Sequence, residues 1–215
     1  MFFLKNLEPF SSPIFGKLLS SIAIPIWKKI SELLVRPKIK LKKAPKNVFE
    51  YIKPTSSKDR IKDLLGAPHN VLESKWCYEF LDAAIQIDFN DDSGAKYIVL
   101  GLQGIKKNYH FSIPMFEKPL GKLTLADVLE EEGNLEYFQG LRSEELVFTT
   151  RIGPPGYWKQ FHFGVLWPLY GASVYESGFE WDHGANKLKT PPENILINWV
   201  GISQGSDDVY FEWQF

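Results

Sequence analysis

The chain has 215 residues, a length typical of one domain with an appendage. Because 44% of the residues are hydrophobic and 15% are aromatic, the chain can fill a core, which excludes a globally disordered protein. The single cysteine, Cys77, excludes an intrachain disulfide and therefore a secreted scaffold held by disulfides.

The net charge of −1 conceals a strong asymmetry along the chain. Residues 1–46 contain ten Lys or Arg and two Glu, a charge of +8, which leaves −9 for residues 47–215. A basic segment favours anionic surfaces, whereas an acidic body repels the phosphates of nucleic acid. We therefore predict a basic arm and linker over residues 1–46, an α+β domain over residues 47–215, and no nucleic-acid partner.

The arm is predicted to contain an amphipathic helix followed by an extended linker. Apolar residues recur at helical spacing from Ile14 to Leu34, and Pro25 should kink the helix. The longest uncharged stretch, residues 18–27, is half of the about 20 residues that a membrane-spanning helix needs. The basic residues expected to face anionic lipid are Lys17, Lys28, Lys29, Arg36, Lys38, Lys40, Lys42 and Lys43.

This pattern favours a cytoplasmic protein that lies peripherally on the inner membrane. Two alternatives stay open at this point. The helix could pack on the domain or on a partner with its lysines in solvent, or the arm could be an uncleaved anchor that places the body in the periplasm.

The first part of the body reads as a helix followed by a three-stranded antiparallel meander. Ser56 is predicted to cap the helix, and Gly66 to end it. Residues 76–80, 84–89 and 96–101 then have the composition of strands, with an acidic turn before the last one.

This arrangement resembles the small outer-membrane lipoprotein (SmpA/OmlA) module. The resemblance is carried by residues 58–68, 76–80 and 85–92 and covers residues 48–102. The same module occurs in β-lactamase inhibitor proteins, and a similar core follows an N-terminal anchor in some bacterial proteins. It implies a bacterial module that binds other proteins and performs no chemistry. Outer-membrane lipidation is not implied, because no lipobox cysteine precedes the core.

The second half is predicted to repeat loosely the order of the first, a helix followed by antiparallel strands. Thr124 and Asp127 give an N-terminal signal for a helix over residues 123–132. Strands are predicted at residues 145–152 and 157–167, and as a closing pair at 195–203 and 209–215. The expected fold class is thus α+β, with antiparallel meander sheets and one or two short helices after the amphipathic helix. Residues 47–105 and 120–215 are candidate sub-units, and a true internal repeat stays open.

Motifs that would assemble an active site are not found in the sequence. The four histidines lie far apart, and neither a zinc-ligand spacing nor a Gly-x-Ser-x-Gly nor a P-loop occurs. We therefore expect no catalytic residue, no metal site and no cofactor. The alternative is a hydrolase or metal-dependent enzyme that uses Asp88, Asp91 and Asp92, or His162 and His183.

Residues 151–184 combine many aromatic rings with six glycines, which favours an exposed aromatic patch. Trp and Tyr are the side chains that most often anchor protein partners. The partner-binding candidates are Trp158, Trp167, Tyr170, Tyr175 and Trp181. The sequence therefore predicts a non-catalytic bacterial protein-interaction domain, such as an inhibitor or immunity-like protein, whose protein partner it does not identify.

Overall fold

The computed structural model describes residues 42–90, 94–103, 110–140, 143–154, 157–168, 178–205, 209 and 211. Residues 41–215 form one compact unit. The predicted amphipathic helix lies outside the described residues, as do Lys17, Lys28, Lys29, Arg36, Lys38 and Lys40.

The described residues form an antiparallel sheet with short helices, which confirms the α+β class. The helices are α1 (Val48–Tyr51), α2 (Lys58–Leu65), α3 (Leu125–Leu129) and a 3-10 turn at Pro192–Asn194. The strands are β1 (Asn70–Leu72), β2 (Lys75–Glu79), β3 (Ala83–Phe89), β4 (Ala95–Leu102), β5 (Gly133–Gln139), β6 (Ser143–Ile152), β7 (Lys159–Pro168), β8 (Trp181–Asp182), β9 (Lys187–Leu188) and β10 (Trp199–Ser203). Eight of them form one sheet in the order β1-β2-β3-β4-β10-β7-β6-β5, and β8 pairs with β9 separately.

The first predicted unit is confirmed with two local differences. The side chain of Ser57, one residue after the predicted cap, accepts the N–H of Arg60, and helix α2 ends at Gly66, whose φ is +87°. Strands β2, β3 and β4 form the expected meander, and the short β1 adds a fourth strand at its edge.

Helix α3 is shorter than predicted. It begins with the capping box of Thr124 and Asp127 that the sequence indicates, and ends at Leu129. The chain then enters β5, a strand that sequence reasoning missed; β5 pairs with β6 through residues 133–139.

Strand β10 joins the two halves of the sheet. It lies between β4 and β7 and is antiparallel to both. The predicted pairing of residues 195–203 with 209–215 is therefore wrong, because both edges of β10 are already occupied. Val209 and Phe211, the described residues of that last segment, are buried against the sheet instead, beside Gly201 and Trp199.

The two faces of the sheet differ in what covers them. The first face carries the main core, in which sheet residues such as Ile98, Leu100 and Phe163 pack with Phe49 of α1 and Leu125 of α3. On the second face a smaller apolar cluster surrounds Trp199. It consists of Ala84, Tyr97, Val99, Val147, Leu166, Trp199, Val209 and Phe211.

Residues 42–46, which the sequence places in the linker, are bound to the body. Ala44 is buried, and its N–H donates to the Asp82 carboxylate at 2.8 Å. The carbonyl of Lys42 accepts the Leu81 N–H at 2.9 Å. The side chains of Lys42 and Lys43 are exposed.

Trp199 occupies the centre of the second face because its neighbours are glycines. Gly101 on β4 and Gly164 on β7 are its partners in register. A Cβ added to Gly164 would lie 1.8 Å from the indole of Trp199, so the ring lies directly over the bare backbone.

We predict that Gly164→Ala destabilises the fold by about 3 kcal/mol, because the added methyl group must displace a buried Trp at the junction of the two halves. Urea unfolding measures the effect. Gly178→Ala is the matched control, since its Cβ would be 3.8 Å from Trp167, and it should change stability by less than about 0.5 kcal/mol. Equal stabilities of the two variants would contradict this packing.

Candidate functional site

A cleft of about 820 Å³ lies on the second face, over strands β5, β6 and β7. A smaller cavity of about 190 Å³ adjoins it and shares Asn134, Thr149 and Gln160 with it. The cleft is lined by Glu132, Gly133, Asn134, Thr149, Thr150, Arg151, Trp158, Gln160, Gln204 and Gly205. Its volume is within the range of ligand-binding pockets, about 300–1,000 Å³.

A chain of hydrogen bonds forms the floor of the cleft. Arg151 Nε donates to Gln160 Oε1 at 3.4 Å, and Gln160 Nε2 lies 3.3 Å from His162 Nε2. The other ring nitrogen of His162, Nδ1, lies 3.2 Å from Thr149 Oγ1. Because Gln160 offers its N–H₂ to Nε2, the order of donors assigns the imidazole proton to Nδ1. The relay thus holds a buried His162 in one orientation beneath the cleft.

Exposed aromatic side chains lie at the cleft, in the adjoining cavity and next to the cleft in the chain. Trp158, just before β7, is 48% exposed, and the adjacent Tyr157 is 82% exposed. Phe138 on β5, 37% exposed, lines the smaller cavity. Large rings beside amide and charged side chains provide both apolar contact area and hydrogen-bonding groups for a partner.

Glu145 on β6 is the strongly perturbed carboxyl group of this face. Burial raises the pKa of Glu145 to about 7, against the opposing effect of a hydrogen bond from Trp199 Nε1–H, which lies 2.7 Å from its carboxylate. Sequence reasoning missed Glu145. The only available signal was its position in the alternation of β6, where it shares a face with Val147 and pairs with Leu166.

We predict that Glu145 makes the stability of the protein depend on pH. Its pKa in the folded state, about 7, is above the ordinary value of 4.5. Between these pH values the folded state holds the extra proton, so the free energy of unfolding falls as pH rises through this window and levels off above it. Glu145→Gln keeps an acceptor for Trp199 and does not titrate. It should therefore be more stable than the wild type by about 2–3 kcal/mol at pH 8 and equal to it near pH 4.

Urea unfolding of both proteins across this pH range measures the difference. The exposed Glu117 supplies the control, since Glu117→Gln should leave the profile unchanged. A wild-type profile that stays parallel to that of Glu145→Gln would refute the assignment.

The predicted aromatic patch is divided between the two faces. Trp158 lines the cleft on the second face. Trp167 packs towards the core, with its ring 6.0 Å from that of Phe179, and Trp181 stacks on Tyr137 at 4.7 Å. Tyr170 and Tyr175 lie outside the described residues. Of the described candidates, Trp158 is therefore the one that borders the cleft.

The residues of the alternative enzymatic reading do not converge where they are described. His162 is on the second face, whereas the ring of His183 lies 5.5 Å from that of Tyr137, which points to the first face. Asp88 accepts hydrogen bonds from the Ser74 hydroxyl and the Phe89 N–H. Asp91 and Asp92 lie outside the described residues.

The described part of the chain contains no group of three or more His, Cys, Asp or Glu side chains placed to hold a metal ion. None of its helices has both the length and the apolar character required to cross a bilayer.

Comparison with known proteins gives one similar structure. No protein-family model matches the chain, and no curated protein matches it either. The crystal structure of a DUF4309 family protein (YjgB) from Bacillus subtilis subsp. subtilis str. 168 is similar, with 11% identity over 70% of this chain and 79% of that chain. At a TM-score of 0.40, this similarity carries no conclusion about the chain.

Proposed function

We propose that this chain is a non-catalytic bacterial protein-interaction domain, of the inhibitor or immunity-like kind, that docks a protein partner on the second face of its sheet. The basic arm, with its amphipathic helix, holds the domain peripherally at the anionic inner surface of the cytoplasmic membrane. The resemblance of residues 48–102 to the SmpA/OmlA module is part of this proposal.

The observation that carries the docking proposal is the different covering of the two faces. The helices pack on the first face, whereas the second face holds an open cleft with a half-exposed Trp158 at its rim. A large ring at the edge of a cleft, surrounded by polar groups, is the usual anatomy of an interaction hot spot. Val209 and Phe211 pack on Trp199, and among the described residues the cleft over β5, β6 and β7 is an accessible part of this face.

The charge distribution supports the tether. Residues 1–40 contain seven Lys or Arg and two Glu, a charge of +5, and each basic residue near an anionic bilayer contributes about 1 kcal/mol. The acidic body is repelled by the same surface, which favours an orientation with the arm towards the lipid.

We predict that Trp158→Ala reduces capture of the partner at least about tenfold without changing stability, because the ring is half exposed and contributes mainly to binding. The measurement is affinity capture from the native cell followed by quantitative mass spectrometry. Leu81→Ala is the matched control, since Leu81 is 49% exposed in the turn between β2 and β3, away from the cleft. Identical co-purifying proteins for the wild type and both variants would count against this docking surface.

We predict that removing residues 1–40 abolishes co-sedimentation with vesicles containing anionic lipid. The truncation ends before Ala44 because that residue is buried and bonded to Asp82, so cutting at residue 46 would damage the body. Circular dichroism of the truncated chain checks its folding, and vesicles of neutral lipid check that charge is responsible. Equal sedimentation of the full and truncated chains would show that the arm is not a tether.

A further inference from the structure

The two edges of the sheet are built differently. Strand β1 at one edge has three residues, whereas β5 at the other has seven. Within the described residues, β6 is the one strand that pairs with β5. Five of the seven residues of β5 are exposed, and Leu135 and Tyr137 are half-buried. Strand β5 also forms one wall of the cleft through Gly133 and Asn134, and it lines the adjoining smaller cavity with Asn134, Glu136 and Phe138.

The turn after β5 determines which backbone groups of this strand face outward. Gly140 N–H donates to Ser143 C=O at 2.8 Å, so these two residues form a hydrogen-bonded pair. In an antiparallel ladder such pairs alternate with non-bonded ones, whose N–H and C=O groups point away from the partner strand. The register of β5 with β6 therefore directs the backbone groups of Leu135, Tyr137 and Gln139 outward. No hydrogen bond of the described residues reaches them.

This edge lacks most of the features by which proteins block strand addition. Natural edges are shortened, interrupted by bulges, or protected by Pro and Lys. Strand β5 contains neither Pro nor Lys, and its register with β6 is continuous. The one charged residue of β5 is Glu136, at the centre of the strand.

The charges near β5 select the kind of strand that can be added. Glu136 lies within β5, Glu130, Glu131 and Glu132 directly precede the strand in the chain, and all four are exposed. A second copy that paired all seven residues antiparallel would place Glu136 directly opposite its own counterpart, which is unfavourable. A strand with Lys or Arg beside Glu136 is attracted instead. Side chains alternate between the two faces of a strand. The residues of the added strand that alternate with its Lys or Arg would therefore lie beside Leu135 and Tyr137 on the apolar first face.

We propose that β5 is the docking strand of this domain: it binds an extended segment of the protein partner in which basic and apolar residues alternate, by adding that segment to the sheet. This inference rests on the proposed function and specifies the partner's chemistry. Backbone hydrogen bonds to Leu135, Tyr137 and Gln139 provide the affinity, and the side-chain alternation provides the specificity. The added strand would border the cleft on the side opposite β7.

The test uses a fluorescent peptide of alternating Lys and Val, of the same length as β5, titrated with the full chain at low salt. Saturable binding is expected. Gln139→Pro removes one outward N–H and leaves the ladder to β6 intact, so it should weaken binding about tenfold. Gln139→Ala, which retains the N–H, is the matched control and should bind as the wild type does.

Two further peptides test the same bonds without altering the protein. A Lys–Val peptide with N-methyl groups on the amides that face β5 should lose binding, and a Glu–Val peptide should not bind. Absence of saturable binding, equal affinities for Gln139→Pro and Gln139→Ala, or equal affinities for the acidic and basic peptides would each overturn strand addition.

The outcome is distinguishable from failure of the proposed function. If capture of the cellular partner requires Trp158 but is insensitive to Gln139→Pro, the proposed docking face is supported and strand addition is refuted. If Trp158→Ala has no effect on capture either, the proposed function is refuted as well.

Discussion

The pairing of β10 with both β4 and β7 is the constraint on which the rest of the structure depends. Without it, β1–β4 and β5–β7 would be two separate meanders, each with an open inner edge. The junction tolerates a large side chain at its centre because Gly101 and Gly164 flank Trp199 and leave room for its indole. Glu145 then accepts the indole N–H at 2.7 Å, which ties β6 to β10 across the intervening β7.

The closed junction makes one sheet with two unequal faces. The first face buries large apolar side chains against three short helices, and this burial is the main source of stability. The second face buries polar groups as well, and a buried polar group destabilises a protein unless it is hydrogen-bonded. The relay from Arg151 through Gln160 and His162 to Thr149 meets that requirement, so the cleft above it can be rigid while remaining polar.

The charge distribution and the open sheet edge indicate which kinds of partner the proposed interaction favours. The body has an excess of carboxylates, and four exposed ones lie in β5 or directly before it in the chain. In the proposed function, the basic arm would attract anionic lipid and the acidic residues in β5 and directly before it would attract a basic polypeptide segment. Because the two proposed partners differ in charge, they would not compete for one surface.

The sequence by itself determined the local elements whose signals lie within a few residues. Gly66 ends α2, Thr124 and Asp127 start α3, and the composition of β2–β4 indicates the meander, because caps, turns and strand composition are short-range properties. Only the tertiary structure decided the rest. Strand β10 takes its partners from residues more than thirty positions away, and the groups around the cleft meet solely because β5, β6 and β7 lie side by side. The side chain of Glu145 looks ordinary in the sequence; its raised pKa comes from burial beside Trp199, a contact across 54 positions of the chain that no local pattern encodes.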